Sequence, residues 1–512
     1  MAPGVGFYLC ETNLSNVEVA NLMKSISDFA YREGKPCVIS CSFGIIVGPH
    51  DGTGEICAAV KKITRRNGNI VVEASGNTAN LDLYAYKKIS QTDSLNLIFR
   101  NDVYPELTYC KEGSGIDEDT APYMGLFARD ADTQFTVQTH IFRVDTLEEN
   151  HDTLIFVYDS PVYDFDSEYS LKLQDKEEYA KYFNGYLDVE IAFDENNDKY
   201  YSYLRPVLLD ESTRNFFRSE IGNKKYGMMV TVRPKDEDKS FYVDAWASNY
   251  SKLADDDFLA SGVAKYGVTT PTKGSTVCTE NTTDRIISVG AFNIRNYITY
   301  SDNTADYTKL FPLGDISYFS NYALKDEGPL SGTDKARDLP DITAPGTFIL
   351  SAVTPERLKK YPSSTYFKNE DYPFDYRCGT SLACPVAAGV IALWLQAAQA
   401  NGLSLGVDDI RSIIEKTADK DEFTTDADGN PVPAFGPNGK INAVKGIVEI
   451  LKMAAEKGST TDLAADSTAK PVKEVFYVNL SGSMSRSPFS GEVNLKVTRY
   501  TDGTESVVKI ML

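Results

Sequence analysis

A glycine followed by two hydroxyl residues, Gly379-Thr380-Ser381, stands directly before residues 382–395, none of which is charged. The glycine permits a sharp bend. Pro385 falls where the first turn of a helix would lie, and a missing N–H costs little there. Unpaired backbone N–H groups at such a terminus favour developing negative charge, so Ser381 is a candidate nucleophile for acyl transfer. The same residues also fit a core helix capped by a serine. A wholly apolar helix implies burial on every side. Two other segments present polar groups after strand-like runs: Ser42-Phe43-Gly44, and Ala74-Ser75-Gly76-Asn77. Asn77 after a glycine is either a turn residue or an amide donor.

These groups must be held by a scaffold, and the periodicity indicates which. Leu22, Ile26, Phe29 and Ala30 recur at helical spacing, Gly34-Lys35-Pro36 ends that helix, and residues 37–42 form a strand. A second helix over 55–66 leads through Asn67-Gly68 into a strand over 69–74, and residues 5–10 read as a strand of their own. Alternating strands and helices predict an α/β fold with a parallel sheet, whose ligands bind at the carboxyl ends of strands. Both polar loops lie at those ends.

Composition narrows the classes. A chain of 512 residues is too long for one core. Its net charge of −21 excludes nucleic acid and anionic membrane as favoured partners. No apolar run reaches the ~20 residues of a membrane-spanning helix. The eight cysteines show neither metal-ligand nor disulfide-framework spacing and read as small buried hydrophobes. No metal or other cofactor is required by any motif; acidic loops such as Asp255-Asp256-Asp257 could hold calcium or simply be solvated. Of the three histidines, His50 reads as a loop residue, His140 lies in an alternating run and His151 in an acidic loop.

Several segments together resemble the subtilisin-like serine peptidases. Gly379-Thr380-Ser381-Leu382-Ala383-Cys384-Pro385 is similar to that family's nucleophile motif, with Leu382 where methionine is usual. Residues 38–44 resemble the strand and loop that line the family's substrate cleft, and residues 72–77 resemble the segment whose asparagine donates to the oxyanion. Residues 286–291, 316–321 and 436–443 resemble further family segments, as does Asp338-Leu339-Pro340-Asp341-Ile342-Thr343-Ala344-Pro345-Gly346. The resemblance implies Ser381 as nucleophile, Asn77 and the Ser381 N–H as oxyanion donors, and Ser42, Phe43, Gly44, Ala74, Ser75 and Gly76 as holders of a polypeptide substrate. It also implies a secreted or cell-surface location. The family's Asp-Ser/Thr-Gly and His-Gly-Thr motifs do not occur here, and Met1-Ala2-Pro3 resembles a segment that normally follows the catalytic histidine. The sequence therefore reads as beginning inside the catalytic domain, and as nearly inactive without base and orienting acid. A pseudo-peptidase or peptide-binding surface protein is the other reading.

The resemblance is interrupted once. Alternating runs at 94–100, 123–129, 135–143, 153–158, 185–193, 200–208, 226–232 and 241–247 predict an inserted antiparallel β-sandwich or jelly roll. Five regions result: 1–82 and 266–453 as two parts of the α/β domain, 83–265 as the insertion, 454–471 as a linker, and 472–512 as a small β module. That last region resembles C-terminal sorting modules of secreted proteins.

Overall fold

A computed structural model describes residues 4–10, 12, 15–100, 124–148, 151–165, 185–195, 198–208, 225–247, 252–259, 262–300, 303–360, 373–460, 472–479, 484–487, 493–500 and 505–511. Residues 1–454 form one compact unit and residues 455–512 another. In the first unit, four parallel strands make a sheet in the order Cys37–Cys41, Asn69–Ala74, Ile286–Phe292 and Ile342–Pro345. Alternation along the strands divides their side chains between two layers. Ile70, Val72 and Ala74 join Ile287, Val289 and Ala344 against the helix Thr380–Ala400. Cys37, Ile39, Cys41 and Val71 face the helices Asn16–Arg32 and Glu55–Ile63. The sheet is thus covered on both faces, as parallel sheets require.

Two expectations are corrected. The run 5–10 is not a strand: Phe7 and Leu9 are 85% and 88% exposed, and a strand cannot form without a neighbour to accept its hydrogen bonds. The helix carrying Ser381 is not buried on every side. Ala383, Ala387, Ile391 and Trp394 are buried, but Leu382, Val386 and Leu393 are half-buried and Pro385 is exposed. Only one of its faces rests on the sheet, so apolar composition exceeded the area available to cover it. At 21 residues it extends beyond the stretch 382–395 at both ends, and by length and composition alone it could cross a membrane; half of its most apolar stretch is buried in the fold.

Among the described residues, ten antiparallel strands between residues 84 and 253 form two five-stranded sheets. One runs in the order Lys252–Leu253, Leu95–Arg100, Lys225–Pro234, Phe135–Glu148, His151–Asp159. The other runs Tyr84–Ile89, Phe241–Ala247, Met124–Ala128, Lys199–Leu208, Gly185–Asp194. Residues of both sheets, among them Leu95, Val137, Leu126 and Trp246, share one apolar cluster. Tyr84–Ile89 escaped the sequence reading because its two lysines blur the alternation. In the second unit, Val472–Asn479, Met484–Ser485, Val493–Tyr500 and Glu505–Met511 make a four-stranded antiparallel sheet. The helix Ala443–Thr460 runs into what reads as a linker; residues 461–471 and the turn at Asp502-Gly503 lie outside the described residues.

The helices Thr380–Ala400 and Ala443–Thr460 meet at a buried indole. Trp394 donates from Nε1 to the Ala443 carbonyl at 3.0 Å, and a Cβ on Gly446 would stand 2.2 Å from its ring. Overpacking of this kind costs about 1–3 kcal/mol. Gly446→Ala is expected to lower the unfolding free energy by that amount, read as a lower urea midpoint with an unchanged m-value; an unaltered midpoint would show that the indole moves aside freely.

Candidate active site

Gly379 precedes the helix Thr380–Ala400 at φ 144°, a conformation that side chains strain to adopt, so Ser381 is the helix's second residue and not its cap. The capping role open to Ser381 is not realised. Its Oγ donates instead to the Ser42 carbonyl at 3.4 Å, and Ser42 Oγ returns a bond to the Ser381 carbonyl at 2.9 Å. The strand Cys37–Cys41 delivers Ser42 to that position.

The first free N–H of the helix is claimed by Asn77. Thr380 donates to Asn77 Oδ1 from its backbone N at 2.8 Å and from Oγ1 at 3.0 Å. The amide group is thereby oriented: its oxygen is consumed, and Nδ2 has no protein partner among the described residues. A Cβ placed on Gly379 would lie 3.6 Å from Asn77 Nδ2 and 3.6 Å from the Ser381 N. Two unpaired N–H donors thus border the small space that Gly379 leaves open, beside the Ser381 hydroxyl. Donors so arranged stabilise an oxyanion.

The two loops behave differently. Phe43 and Gly44 have backbone N–H and C=O groups with no partner among the described residues, and Gly44 is exposed. Around Ala74–Gly76 the backbone is already engaged. Ser75 N donates to Val289 O at 2.9 Å, Ser75 O accepts from Cys278 N at 3.0 Å, and Gly76 O accepts from Asn321 N at 3.1 Å. Gly76 N donates to Thr380 Oγ1 at 3.2 Å, and Ala74 O accepts from Asn281 Nδ2 at 3.1 Å. Ser42, Phe43 and Gly44 offer an open edge; Ala74, Ser75 and Gly76 form a wall.

Three residues to which the sequence reading gave no role hold that wall. Thr380 ties Gly76 to Asn77. Buried Asn321 accepts from Thr78 N at 2.7 Å and donates to Thr276 O at 2.6 Å. A Cβ on Gly76, at φ 115°, would fall 2.2 Å from Asn321 Nδ2. Cys278 fills the floor between the loops: its Sγ would lie 2.6 Å from a Cβ on Gly44 and 3.4 Å from one on Gly76. The glycines at 44 and 76 were the available signal, since close approach is what requires them.

Below the floor lie two buried carboxyls. Glu73 Oε1 has no hydrogen-bond partner among the described residues, and burial, then Glu280, pushes its carboxyl well above the usual range. Burial pushes Glu280 up to about 7, opposed by backbone N–H groups including Ile45 N at 3.2 Å from Oε2. Burial also raises the thiols of Cys41 and Cys278, and raises Cys384 to about 12, so these remain protonated near neutrality and do not rival Ser381.

His50 and His140 are elsewhere. His50 is 2% exposed, stacks on Trp246 at 4.1 Å and bonds through Nε2 to Ile46 O at 2.6 Å; burial lowers it to about 4. His140 pairs with Asp159 at 2.7 Å in the strand Phe135–Glu148. Among the described residues, no imidazole or carboxylate is hydrogen-bonded to Ser381, and no group of three His, Cys, Asp or Glu side chains could hold a metal.

Comparison with known proteins bears on this geometry. Residues 238–438 match the model of the Subtilase family, Peptidase_S8. A stretch of 109 residues is 36% identical to subtilisin-like protease SBT3.2 of Arabidopsis thaliana, covering 20% of this chain and 11% of that protein. The chain therefore spans only a small part of that relative. The Clostridium perfringens CspB protease structure is similar with a TM-score of 0.54 and 15% identity, over 85% of this chain and 72% of that one. The α/β architecture on its parallel sheet is subtilase-like.

Glu280 makes a pH signature. A folded-state carboxyl near 7 stays protonated where the unfolded chain has already ionised, so its contribution to stability falls as pH rises from about 4.5 to about 7. That difference is worth roughly 3 kcal/mol. Relative to the parent chain, Glu280→Gln is expected to gain about that much over the same window, measured by denaturant unfolding at several pH values. Taking the difference cancels the opposite trend of His50. Parallel pH profiles for the two proteins would contradict it.

Proposed function

We propose that this chain is a serine endopeptidase of the subtilisin-like class acting on polypeptides. Ser381 Oγ would attack the scissile carbonyl carbon, the carbonyl electrons moving to an oxyanion between Asn77 Nδ2 and Ser381 N–H. Collapse would expel the amine, which takes up a proton, and leave an acyl-serine that water hydrolyses. The observation that carries this reading is the pair of unpaired donors, Asn77 Nδ2 and Ser381 N, on the space Gly379 leaves open. The free backbone of Phe43 and Gly44 supports an extended substrate strand beside it. No cofactor enters the reaction; structural calcium stays part of the proposal without an assigned site.

The proton of Ser381 needs an acceptor, and the neighbour recorded for it is a backbone carbonyl. Losing the histidine of a serine–histidine–aspartate triad costs about a million-fold in turnover, leaving about 10³–10⁴ over water, magnitudes known from subtilisin. The 512-residue chain by itself is therefore expected to turn over poorly. That same observation favours a second reading, a pseudo-peptidase that holds peptide without cutting it. The ten strands between residues 84 and 253 support an inserted β-sandwich or jelly-roll domain, and the four-stranded sheet of residues 472–511 supports a sorting-type module. These parts and the net charge of −21 support a secreted or cell-surface protein that binds polypeptide and not nucleic acid.

Fluorophosphonate labelling tests the proposal. Weak labelling that is abolished in Ser381→Ala and reduced in Asn77→Ala by about 10²–10³ is the expected result. Robust labelling at the rate of a complete triad would remove the prediction of inactivity. Labelling that persists in Ser381→Ala would remove the nucleophile assignment.

A further inference from the structure

The segment that begins at Cys278 is stitched to both loops beside Ser381. Cys278 N donates to Ser75 O at 3.0 Å, and the next residue, Thr279, donates from its N to Ile45 O at 2.7 Å. Asn281 Nδ2 holds Ala74 O at 3.1 Å, while Ile45 N donates back to Glu280 Oε2 at 3.2 Å. Thr279–Thr282 is a single 3₁₀ turn, so these bonds issue from one short crosspiece that fixes the distance between the loops.

The crosspiece sets the Cys278 side chain in the gap it spans. A Cβ on Gly44 would stand 2.6 Å from both Cβ and Sγ of Cys278, and one on Gly76 would stand 3.4 Å from Sγ. One sulfur thus packs against both glycines, and at Gly44 the missing side chain is the room it occupies. Cys278 is 5% exposed and belongs to the same apolar cluster as the two antiparallel sheets, so it has no space into which to retreat. Glu73 Oε1 lies 3.0 Å from the same point at Gly44, but it is buried from solvent, so this acid is closed to a basic side chain arriving from the cleft.

We propose that the cleft accepts only glycine or alanine as the residue whose carbonyl Ser381 attacks, and that Cys278 is the specificity-determining residue that sets this limit. The attacked carbonyl is held at Ser381 Oγ with its oxygen toward Asn77 Nδ2 and Ser381 N–H, and the chain behind it runs along the free backbone of Phe43 and Gly44. Ser42 stands against Ser381 on one side, and Gly76, whose N donates to Thr380 Oγ1 at 3.2 Å, stands against the same helix on the other. The last acyl residue therefore lies over the gap between Gly44 and Gly76. A hydrogen or a methyl group fits above the sulfur, whereas a longer side chain meets it. This selectivity rests on the peptide cleft proposed above and gives it a substrate class.

Peptidyl diphenyl phosphonates that differ only in the residue bearing the phosphorus, alanine or phenylalanine in type, test this on the full chain. Ser381 Oγ would displace phenoxide from phosphorus, and mass spectrometry reads the labelled fraction. The alanine reagent is expected to label at least about tenfold faster. In Cys278→Ala, which removes the sulfur, that ratio should shrink toward unity. Isothermal titration with N-blocked peptides ending in alanine or phenylalanine makes the same comparison without chemistry at Ser381, and the alanine peptide should bind roughly tenfold tighter. Preferential binding of the alanine peptide with no labelling by either reagent would remove the nucleophile assignment and leave Cys278 as the selecting residue. Equal labelling by the phenylalanine reagent or equal binding of its peptide overturns the proposal, as does an unchanged preference in folded Cys278→Ala. Absence of both labelling and saturable binding overturns it together with the cleft.

Discussion

The Asn77 carboxamide oxygen, accepting from both the N–H and the hydroxyl of Thr380, is the contact on which the candidate site depends. It satisfies a helix N-terminal donor that would otherwise need a cap. In doing so it orients the asparagine amide and pulls residue 77 against residue 379. Everything else at the site is arranged around it. Thr380 also receives the Gly76 N–H, and Asn321 braces Gly76 and Thr78 from below. Gly346 accepts the Gly379 N–H at 2.9 Å, so the strand Ile342–Pro345 sets where the helix begins.

The inserted strands are not a separate body resting on this scaffold. Ile46, Val47 and Cys278 belong to the same apolar cluster as the interior of the two antiparallel sheets. Val47 is the neighbour that forbids a side chain at Gly125, with its Cγ1 2.4 Å from a Cβ placed there. Lys199 reaches Asp51 at 2.9 Å, and Trp246 donates to Ser275 O while stacking on His50. The loop after Gly44 is therefore shaped from two sides: by the strand that delivers it and by the insertion that packs behind it.

Much of this was legible in residue order. The periods of residues 16–74 locate the α/β layers because a two-sided parallel sheet needs helices on both faces, and the glycine before Thr380-Ser381 locates the bend. Positions depending on partners distant in sequence were not legible. Thr380 and Asn321 are ordinary polar residues until the chain brings Asn77 and Gly76 to them. Nothing local distinguishes His50 on Trp246 from a solvent-exposed loop histidine. Residues 5–10 show the opposite failure: a run with strand propensity is extended only if a neighbour accepts its hydrogen bonds. The charge-free run 382–395 revealed an apolar helix, but how much of it is covered is a property of the layers around it.

The contact between Asn77 and Thr380 closes a separation of 303 residues in the chain. Translation at about 5–20 residues per second separates their emergence by roughly 15–60 s. Through that interval the loops at 42–44 and 74–77 exist without the helix that completes them, while the antiparallel sheets can already assemble between them. The hydroxyl at Ser381 meets the Ser42 carbonyl only after the residues of both sheets have been synthesised. A chain interrupted within the insertion carries the two loops without the helix that bears Ser381, so order of synthesis itself leaves the candidate site unassembled until late.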